Sequence, residues 1–366
     1  LVSRISDFDS KRIAVLLPFR LDRVNTDSIA DTMKQLENDI YLSTSLDFHT
    51  GILLAVDSLK RLGISLKVDI YDTKNQMSQV NYLLGSKDLD ESHAVIGPLM
   101  PKNFEHVATV LKRKNIPIFS PNLKDLKLSE NVFQTLPSAQ LMKSRMIDFV
   151  KKDTTKNHVI IIADSKHVAV SNELKREFNS ASQIYSRKNK EGKDAYYVFE
   201  EDVSEKLQNG RNVVFLESAN YTFVSNVTSI LNSLKNDEQE IILVTTNMNS
   251  AFENDEISNY HLSNLSFHFT SSSKSYNDGD HSGFVKRYNE LYGETPNKTA
   301  VKGFDMMMDI VLRLSVSDNI YESVNEFPIT EYVENKFGYK KRLSGGYYNN
   351  SVYVVKYNNL NIIEAN

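Results

Sequence analysis

The stretch of residues 93–122 constrains the fold of this chain more than any other part of the sequence. It contains a short apolar run that ends at Gly97, an amphipathic segment, and a second apolar run at 116–119. This order predicts a strand, a helix and a strand, and a single crossover helix makes the two strands parallel neighbours. Ligands of open parallel sheets bind beyond the carboxyl ends of the strands. The loops at 97–101 and 120–122 are therefore candidate site loops.

Length and composition narrow the class of protein. A chain of 366 residues exceeds the usual size of a single core, which predicts two domains. Its 43 basic and 47 acidic residues are mixed along the chain, and no basic stripe indicates a nucleic-acid partner. Without cysteine there is no disulfide, thiolate metal site or cysteine nucleophile. No apolar run is long enough for a transmembrane segment. Because the sequence begins at Leu1, we expect a signal peptide or lipid anchor to have been removed upstream.

The same strand and helix alternation runs through most of the chain. Apolar runs at 13–17 and 66–71 predict further strands, and apolar positions three and four apart at 46–62 predict a helix between them. The alternation restarts with a predicted strand at 158–163 and continues with strands at 213–216 and 241–245 and helices at 171–178 and 221–234. The sequence therefore predicts an α/β protein with two doubly wound parallel sheets.

Two segments do not fit this alternation. Residues 20–45 are polar and irregular, which predicts a long loop with a short helix at 28–38. A loop of this length in a compact domain is usually functional. At the other end of the chain, residues 347–363 alternate and turn at Asn358, which predicts a hairpin.

The order of elements resembles that of the type I periplasmic binding proteins, the superfamily of the leucine/isoleucine/valine-binding proteins. The resemblance covers essentially the whole chain, and its most specific carrier is residues 284–314. There the pattern F-x(3)-Y-x(3)-YG-x-x-P-x(3)-A-x-x-G-[FY]-D is present. The other carriers are IAVLLPF (13–19), LDFHTGILLAVDSLK (46–60), HAVIGPLM (93–100), IPIFSPN (116–122), VFQTLPS (132–138) and HVIIIAD (158–164).

The resemblance implies two doubly wound lobes joined by three hinge crossovers, with ligand in the cleft between them favouring a closed form. On this basis lobe 1 comprises 1–122 and 270–330, and lobe 2 comprises 138–250 and 340–366. The crossovers are expected at 122–137, 250–275 and 325–345.

The candidate ligand-binding residues are those that follow the strands. In lobe 1 they are Phe19, Arg20, Leu99, Met100, Ser120 and Asn122; in lobe 2 they are Asp164, Ser165, Lys166, Glu217, Asn220, Tyr221, Thr246 and Asn247. For each of them the alternative is an ordinary polar loop residue.

Specific roles follow from the chemistry of these side chains. Arg20, with Ser120 and Asn122, can hold a carboxylate or sugar hydroxyls. Glu217 or Asp164 can hold an amine, and Tyr221 can stack on a ring or cap the ligand.

The expected function is ligand binding without catalysis in the periplasm or cell envelope. Amino-acid binders of the superfamily usually carry hydroxyl side chains after the third strand, whereas this chain has Leu99 and Met100. The ligand is therefore expected to be small and polar, either amino-acid-like or derived from the cell wall, and the expected partner is the permease of an ABC transporter. The alternative is an envelope interaction module with a peptidoglycan-associated partner, similar to lipoprotein activators of peptidoglycan synthases or fused to upstream lysin-motif repeats. The loop at 20–45 supports this alternative.

Three other patterns have simpler explanations. Residues 271–274 match S-x-x-K and residues 317–319 match S-D-N, two motifs of penicillin-recognising serine enzymes. The order and the context of the motifs differ from those in the enzymes, so we interpret both matches as coincidental. Asp278, Asp280 and His281 lie in a strong turn signal rather than a metal loop. Neither G-x-G-x-x-G nor a Walker loop is present, so a nucleotide cofactor is not expected. Since the other patterns offer no catalytic constellation or metal site, no catalytic residue, metal or cofactor is predicted.

Overall fold

A computed structural model describes residues 1–153, 157–275 and 283–365. The chain divides into two compact units. Unit 1 comprises the described residues of Leu1–Ser138 and Tyr276–Ser351, and unit 2 those of Ala139–Ser275 and Val352–Asn366. The chain thus passes between the units three times, after Ser138, Ser275 and Ser351.

The first passage through unit 1 contains β1 (Lys11–Leu17), α1 (Ile29–Asn38), α2 (Ile40–Arg61), β2 (Leu66–Asp72), α3 (Met77–Gly85), β3 (Ala94–Ile96), α4 (Pro101–Lys112), β4 (Ile118–Ser120) and β5 (Val132–Gln134). Unit 2 follows with α5 (Ala139–Lys152), β6 (Asn157–Ala163), α6 (Val168–Glu177), β7 (Ser182–Tyr185), α7 (Glu200–Ser204), β8 (Gly210–Glu217), α8 (Tyr221–Leu234), β9 (Gln239–Val244), α9 (Asn259–Asn264) and β10 (His268–Ser271).

The chain then returns to unit 1 with α10 (Gly283–Tyr292), α11 (Lys298–Val316), α12 (Ile320–Glu326), β11 (Thr330–Glu331), β12 (Lys336–Phe337), β13 (Tyr339–Lys341) and β14 (Tyr347–Asn349). It ends in unit 2 with β15 (Tyr353–Asn358) and β16 (Asn361–Glu364).

Each unit is built on one twisted, mostly parallel sheet. The strand order is β13-β14-β5-β4-β3-β1-β2 in unit 1 and β16-β15-β10-β9-β8-β6-β7 in unit 2. Both sheets reverse their strand order beside the first strand of the unit, between β1 and β3 and between β6 and β8. The predicted unit at 93–122 is confirmed as β3, α4 and β4, and its two strands pair in parallel. The predicted fold, two doubly wound α/β lobes, is confirmed.

The central strands are apolar because both faces of each sheet are covered. Ile13, Val15 and Leu17 pack into one core cluster of unit 1, while Ala14 and Leu16 pack into another. Strand β6 of unit 2 behaves in the same way, with Ile160 and Ile162 in one cluster and Ile161 in a second. Polar side chains are therefore displaced to the strand ends, where ligand sites form.

Helices α2 and α11 cross unusually closely in unit 1. A Cβ atom added to Gly303 would lie 2.1 Å from the carbonyl oxygen of Phe48, and one added to Gly51 would lie 1.9 Å from that of Ala300. No side chain fits at either position. Gly303, the glycine of the family pattern at 284–314, is thus required because the backbones of the two helices approach closely at this point.

The segment predicted as a long loop at 20–45 is largely helical. The short helix expected at 28–38 is present as α1, but α2 begins at Ile40 rather than at the predicted residue 46. Asp39 explains the early start, since its side chain accepts hydrogen bonds from the amides of Tyr41 and Leu42, at 3.1 and 3.4 Å. The start of α2 is therefore determined by the N-cap at Asp39 and not by the weak periodicity of apolar residues.

The last part of the chain also differs from the expectation. The prediction of a single hairpin at 347–363 is wrong in its first part, because β14 pairs with β5 in unit 1. Only β15 and β16 form a hairpin, and it lies in unit 2. The third crossover, expected at 325–345, accordingly lies after Ser351. Elements β7, α9, α12 and β11–β13 were not predicted, and the turn with Asp278, Asp280 and His281 lies outside the described residues.

Candidate functional site

The best-organised polar cluster lies in unit 2, at the carboxyl ends of three adjacent strands. Asp164 follows β6, Glu217 ends β8, and Thr246 comes shortly after β9. Strand β8 pairs with both of the others, and Ala163 lies opposite Glu217 in that register. The sheet therefore places the three predicted residues side by side at the edge where ligands of such folds bind.

Asp164 is the centre of one half of this cluster. Its carboxylate accepts hydrogen bonds from Ser218 Oγ at 2.7 Å and from the Lys166 amide at 2.9 Å, and it pairs with His167 Nδ1 at 2.6 Å. Burial alone would raise the pKa of Asp164, but the bonds from His167 and Ser218 lower it below its ordinary value. The hydrogen bond to Asp164 in turn raises the pKa of His167. Each group of the pair thus favours the charged form of the other.

Glu217 is the centre of the other half, and the charges of His167 and Lys143 act on it only from beyond ion-pairing distance. Its two oxygens accept hydrogen bonds of 2.8 Å from the amide and the hydroxyl of Thr246. No cation in the described part of the chain forms an ion pair with it. Burial raises the pKa of Glu217 to about 7, although the bonds from Thr246 act in the opposite direction. The group can therefore change protonation state near neutral pH.

The other predicted residues of unit 2 surround this cluster in different ways. Ser165 donates to Asp194 through its amide and hydroxyl, at 2.9 and 2.5 Å. Asn220 caps α8 by accepting from the Phe223 amide at 2.9 Å. Lys166, Tyr221 and Asn247 are exposed, and 42% of Tyr221 is accessible.

In unit 1 the predicted residues also come to neighbouring strand ends, but several are structural. Phe19 and Leu99 belong to the hydrophobic core. Ser120 is buried, and its hydroxyl accepts from the Leu123 amide at 3.1 Å while its carbonyl accepts from Thr135 Oγ1 at 2.6 Å. These three side chains are occupied by packing or by internal hydrogen bonds.

Arg20 is also engaged within unit 1. Its guanidinium forms an ion pair with Asp39 at 3.0 Å and lies over the ring of Tyr41. Its backbone has a positive φ of 59°, and its amide donates to Asp72 at 3.0 Å. The predicted set of Arg20 with Ser120 and Asn122 thus contains only one exposed side chain, that of Asn122; Met100 is half-buried at the start of α4.

Lys302 is an additional candidate in unit 1 that the sequence pattern did not single out. It is partly buried on α11, and burial, together with the nearby Lys124, lowers the pKa of Lys302 to about 7. Lys124 belongs to the loop after β4. A lysine that loses its charge near neutral pH is more common at binding sites than on an open helix face.

In unit 2 the residues missed were His167 and Ser218. Both adjoin a predicted residue in the sequence, since Ser218 follows Glu217 and His167 lies three residues after Asp164. This proximity in the sequence is the signal that could have identified them.

The S-x-x-K match is not arranged for catalysis. Ser271 lies in strand β10 and not at the start of a helix. Its hydroxyl donates to the carbonyl of Ser273 at 2.5 Å. Asn319 of the S-D-N match caps α12 by accepting from the Glu322 amide at 3.0 Å. The structure thus gives both residues local roles.

Two doubly wound units of this topology define the type I periplasmic binding protein fold. A family model described as the receptor family ligand binding region matches residues 49–247, which is more than half of the chain. The chain belongs to this family. Comparison with curated protein sequences finds no match.

Solved structures show the same fold at low sequence identity. A putative branched-chain amino acid ABC transporter protein from Rhodospirillum rubrum is 12% identical with a TM-score of 0.64, over 98% of this chain and 100% of that one. An ABC transporter substrate-binding protein from Desulfitobacterium hafniense is 16% identical with a TM-score of 0.53, over 98% and 100%. LpoA from Haemophilus influenzae is 11% identical with a TM-score of 0.57, over 99% of this chain but 60% of that one.

The described residues contain neither a candidate membrane span nor a candidate metal site. No described helix combines the length and the apolar character needed to span a membrane. Among residues 1–153, 157–275 and 283–365, no three His, Asp or Glu side chains are grouped so that they could hold a metal ion.

Proposed function

We propose that this protein is a non-catalytic solute-binding protein that holds a small polar ligand by an amino group, through Glu217 of unit 2. The observation that carries the proposal is a buried carboxyl group at a strand carboxyl end with no ion-pairing cation among the described residues. A buried charge is strongly disfavoured unless it is paired. A ligand ammonium group would supply the missing charge.

The neighbouring residues support this role. Thr246 holds both carboxylate oxygens of Glu217 through its amide and hydroxyl, so the direction of the remaining lone pairs is set before a ligand arrives. Asp164 already has a partner within the protein, the imidazole of His167 at 2.6 Å. Of the two carboxylates that the sequence suggested for an amine, Glu217 is therefore the one that we assign.

The ligand class is amino-acid-like or cell-wall-derived, because both contain primary amines on small polar molecules. In unit 1 the loop after β3 offers the buried Leu99 and the half-buried Met100 instead of hydroxyl side chains. We therefore favour a ligand whose other end differs from that of a free branched-chain amino acid. By analogy with the ABC transporter proteins of the same fold, the partner would be a membrane permease and the location the periplasm or cell envelope.

A ligand screen by thermal shift and calorimetry tests the proposal. The panel contains amino acids, amino sugars and muropeptide fragments, each beside an analogue in which a hydroxyl replaces the amine. A ligand present at a hundredfold excess over its dissociation constant should stabilise the protein by about 2.7 kcal/mol. Glu217→Gln should abolish this shift, whereas Glu205→Gln, at an exposed position of the same unit, should not. Equal binding of the hydroxyl analogues would rule out recognition of an amine.

A second candidate function, an envelope interaction module, is favoured by helix α1. This helix has no buried residue, and Ile29 and Met33 expose 81% and 58% of their surface on successive turns. Apolar residues at such spacing are typical of a helix that binds in a groove of a partner. If this is the function, Ile29→Ser with Met33→Ser should abolish capture of a peptidoglycan-associated partner without changing the melting temperature. The amine ligands should then bind no more tightly than their hydroxyl analogues.

A further inference from the structure

A pocket separate from the Glu217 site lies in unit 2, on the sheet face covered by α5. It has a volume of about 570 Å³ and lies between the last turn of α5, the early residues of β8 and β9, and the strands β10 and β15. On β8, Arg211 of this pocket and Glu217 of the candidate site are six residues apart, which corresponds to about 20 Å along a strand. The pocket shares no residue with that site, and its volume is typical of small-molecule sites.

His268 is a largely buried residue that provides a hydrogen-bond acceptor in this pocket. Only 7% of the residue is exposed, and its Nδ1 atom contacts the carbonyl oxygen of Ser266. A carbonyl can only accept, so Nδ1 carries the proton and Nε2 is left as an acceptor. Burial lowers the pKa of His268 to about 4, so the ring is neutral at physiological pH. No described residue forms a hydrogen bond with Nε2.

Cations outnumber anions around this acceptor. Arg211 forms ion pairs with Asp153 at 2.8 Å and with Glu240 at 3.8 Å, yet its buried Nε atom makes no hydrogen bond. Lys152 and Lys356 line the same pocket and form no ion pair with any described residue. Among the described residues both carboxylates thus face the guanidinium of Arg211, and neither lysine forms an ion pair.

The positions of these groups are set by the fold. Lys356 lies directly opposite His268 in the antiparallel pair of β10 and β15, so both side chains are on one face of the sheet. The ring of Phe149, from α5, is 5.5 Å from the imidazole of His268 and forms an apolar wall. The pocket therefore combines two lysines that form no ion pair with a described residue, one acceptor and a flat apolar surface.

We propose that this pocket binds a small anionic sugar, either a sugar phosphate or a sugar acid. The anionic group would lie between Lys152 and Lys356, and a sugar hydroxyl would donate to Nε2 of His268. The C–H face of the ring would pack on Phe149. Inorganic phosphate fills too little of the pocket to use all three contacts, and a neutral sugar lacks the charge that the lysines require.

Calorimetric titration of the full chain with four probes tests this assignment. Glucose 6-phosphate and glucuronate distinguish a phosphate from a carboxylate as the anionic group, while glucose and inorganic phosphate each lack one part of the ligand. We expect at least one of the first two to bind, about tenfold or more tighter than glucose and inorganic phosphate, since each charge-assisted contact contributes about that factor.

Matched variants locate the binding. Lys152→Met with Lys356→Met should weaken binding of the anionic sugar about tenfold or more. The exposed pair Lys190→Met with Lys206→Met, which changes the net charge of unit 2 equally, should have no effect. His268→Asn keeps a donor for the Ser266 carbonyl and removes the acceptor at the position of Nε2, so it should weaken binding of the anionic sugar more than binding of inorganic phosphate. If His268→Asn fails to fold, the comparison of the two lysine double variants tests the proposal.

Three results would overturn the proposal. They are the absence of binding by both anionic sugars, equal affinity for inorganic phosphate and the sugar phosphate, and equal losses in the two lysine double variants. The second would indicate an anion site without sugar recognition, and the third a general effect of charge.

Discussion

Glu217 and Thr246 are joined by two hydrogen bonds of 2.8 Å at the carboxyl ends of adjacent strands β8 and β9. The bonds orient a buried carboxyl group, but they do not neutralise it. A group in this state destabilises the ligand-free protein whenever it is ionised, and it gains a counter-charge when a cation binds. Stability and binding are therefore linked through one side chain.

The first prediction concerns the pH dependence of this link. The folded pKa of Glu217, about 7, lies above its ordinary value of 4.5, so the folded state binds the proton more tightly than the unfolded state. Stability from this group is therefore present at low pH and lost as the pH rises from 4.5 through about 7. Glu217→Gln should raise the free energy of unfolding at pH 8 by up to about 3 kcal/mol and by much less at pH 5. Denaturant titration at both pH values measures this, and an effect independent of pH would contradict it.

A second prediction concerns the ion pair of Asp164 and His167. Because the pair raises the pKa of His167, its contribution to stability is present below the ordinary histidine pKa of 6.5 and is lost as the pH rises through the raised value. Asp164→Asn should lower the pKa of His167 in an NMR titration and destabilise the protein by about 1 to 3 kcal/mol at pH 6. Asp148→Asn, at an exposed position of α5, is the control. An unchanged titration of His167 would show that the contact does not persist in solution.

A third prediction concerns the close crossing of α2 and α11. Gly303→Ala places a methyl group 2.1 Å from the carbonyl oxygen of Phe48, so the helices must move apart. We expect a loss of about 3 kcal/mol or more in the free energy of unfolding. Gly85→Ala, where no atom lies within 4 Å, should be neutral or slightly stabilising. Similar melting temperatures for the two variants would exclude the crossing as the reason for the glycine.

The fourth prediction concerns Asp305, the aspartate of the family pattern on α11. Its carboxylate accepts bonds from the amides of Val333, Glu334 and Asn335, at 3.1, 3.0 and 2.9 Å, and from the side chain of Asn335 at 2.8 Å. Asp305→Ala leaves these buried donors unpaired and should cost about 3 kcal/mol or more.

Hydrogen exchange locates this effect. Amides at 333–335 should lose protection in Asp305→Ala, whereas the exposed Asp318→Ala should leave them unchanged. Loss of stability with full protection of these amides would show that Asp305 acts elsewhere.

Much of the fold followed from local patterns. Continuous apolar runs identified β1, β3, β4, β6, β8 and β9, because strands covered on both faces contain few polar residues. The candidate site followed in part from the same rule, since Asp164, Glu217 and Thr246 were predicted only from their positions after strands. Arg20 and Ser120 satisfied that rule equally well, and the structure shows them engaged in internal contacts.

The sequence by itself determined the order of strands and helices, the two α/β units and the residues at their strand ends, because periodicity and parallel connection are local properties. Only the tertiary structure decided which of those residues have an ion-pairing partner, as Asp164 has in His167, and which have none among the described residues, as is the case for Glu217. It also decided that residues 347–349 pair with β5 in unit 1 rather than continue into β15. Ion pairs and strand pairing join residues far apart in the chain, so a pattern read along the sequence does not contain them.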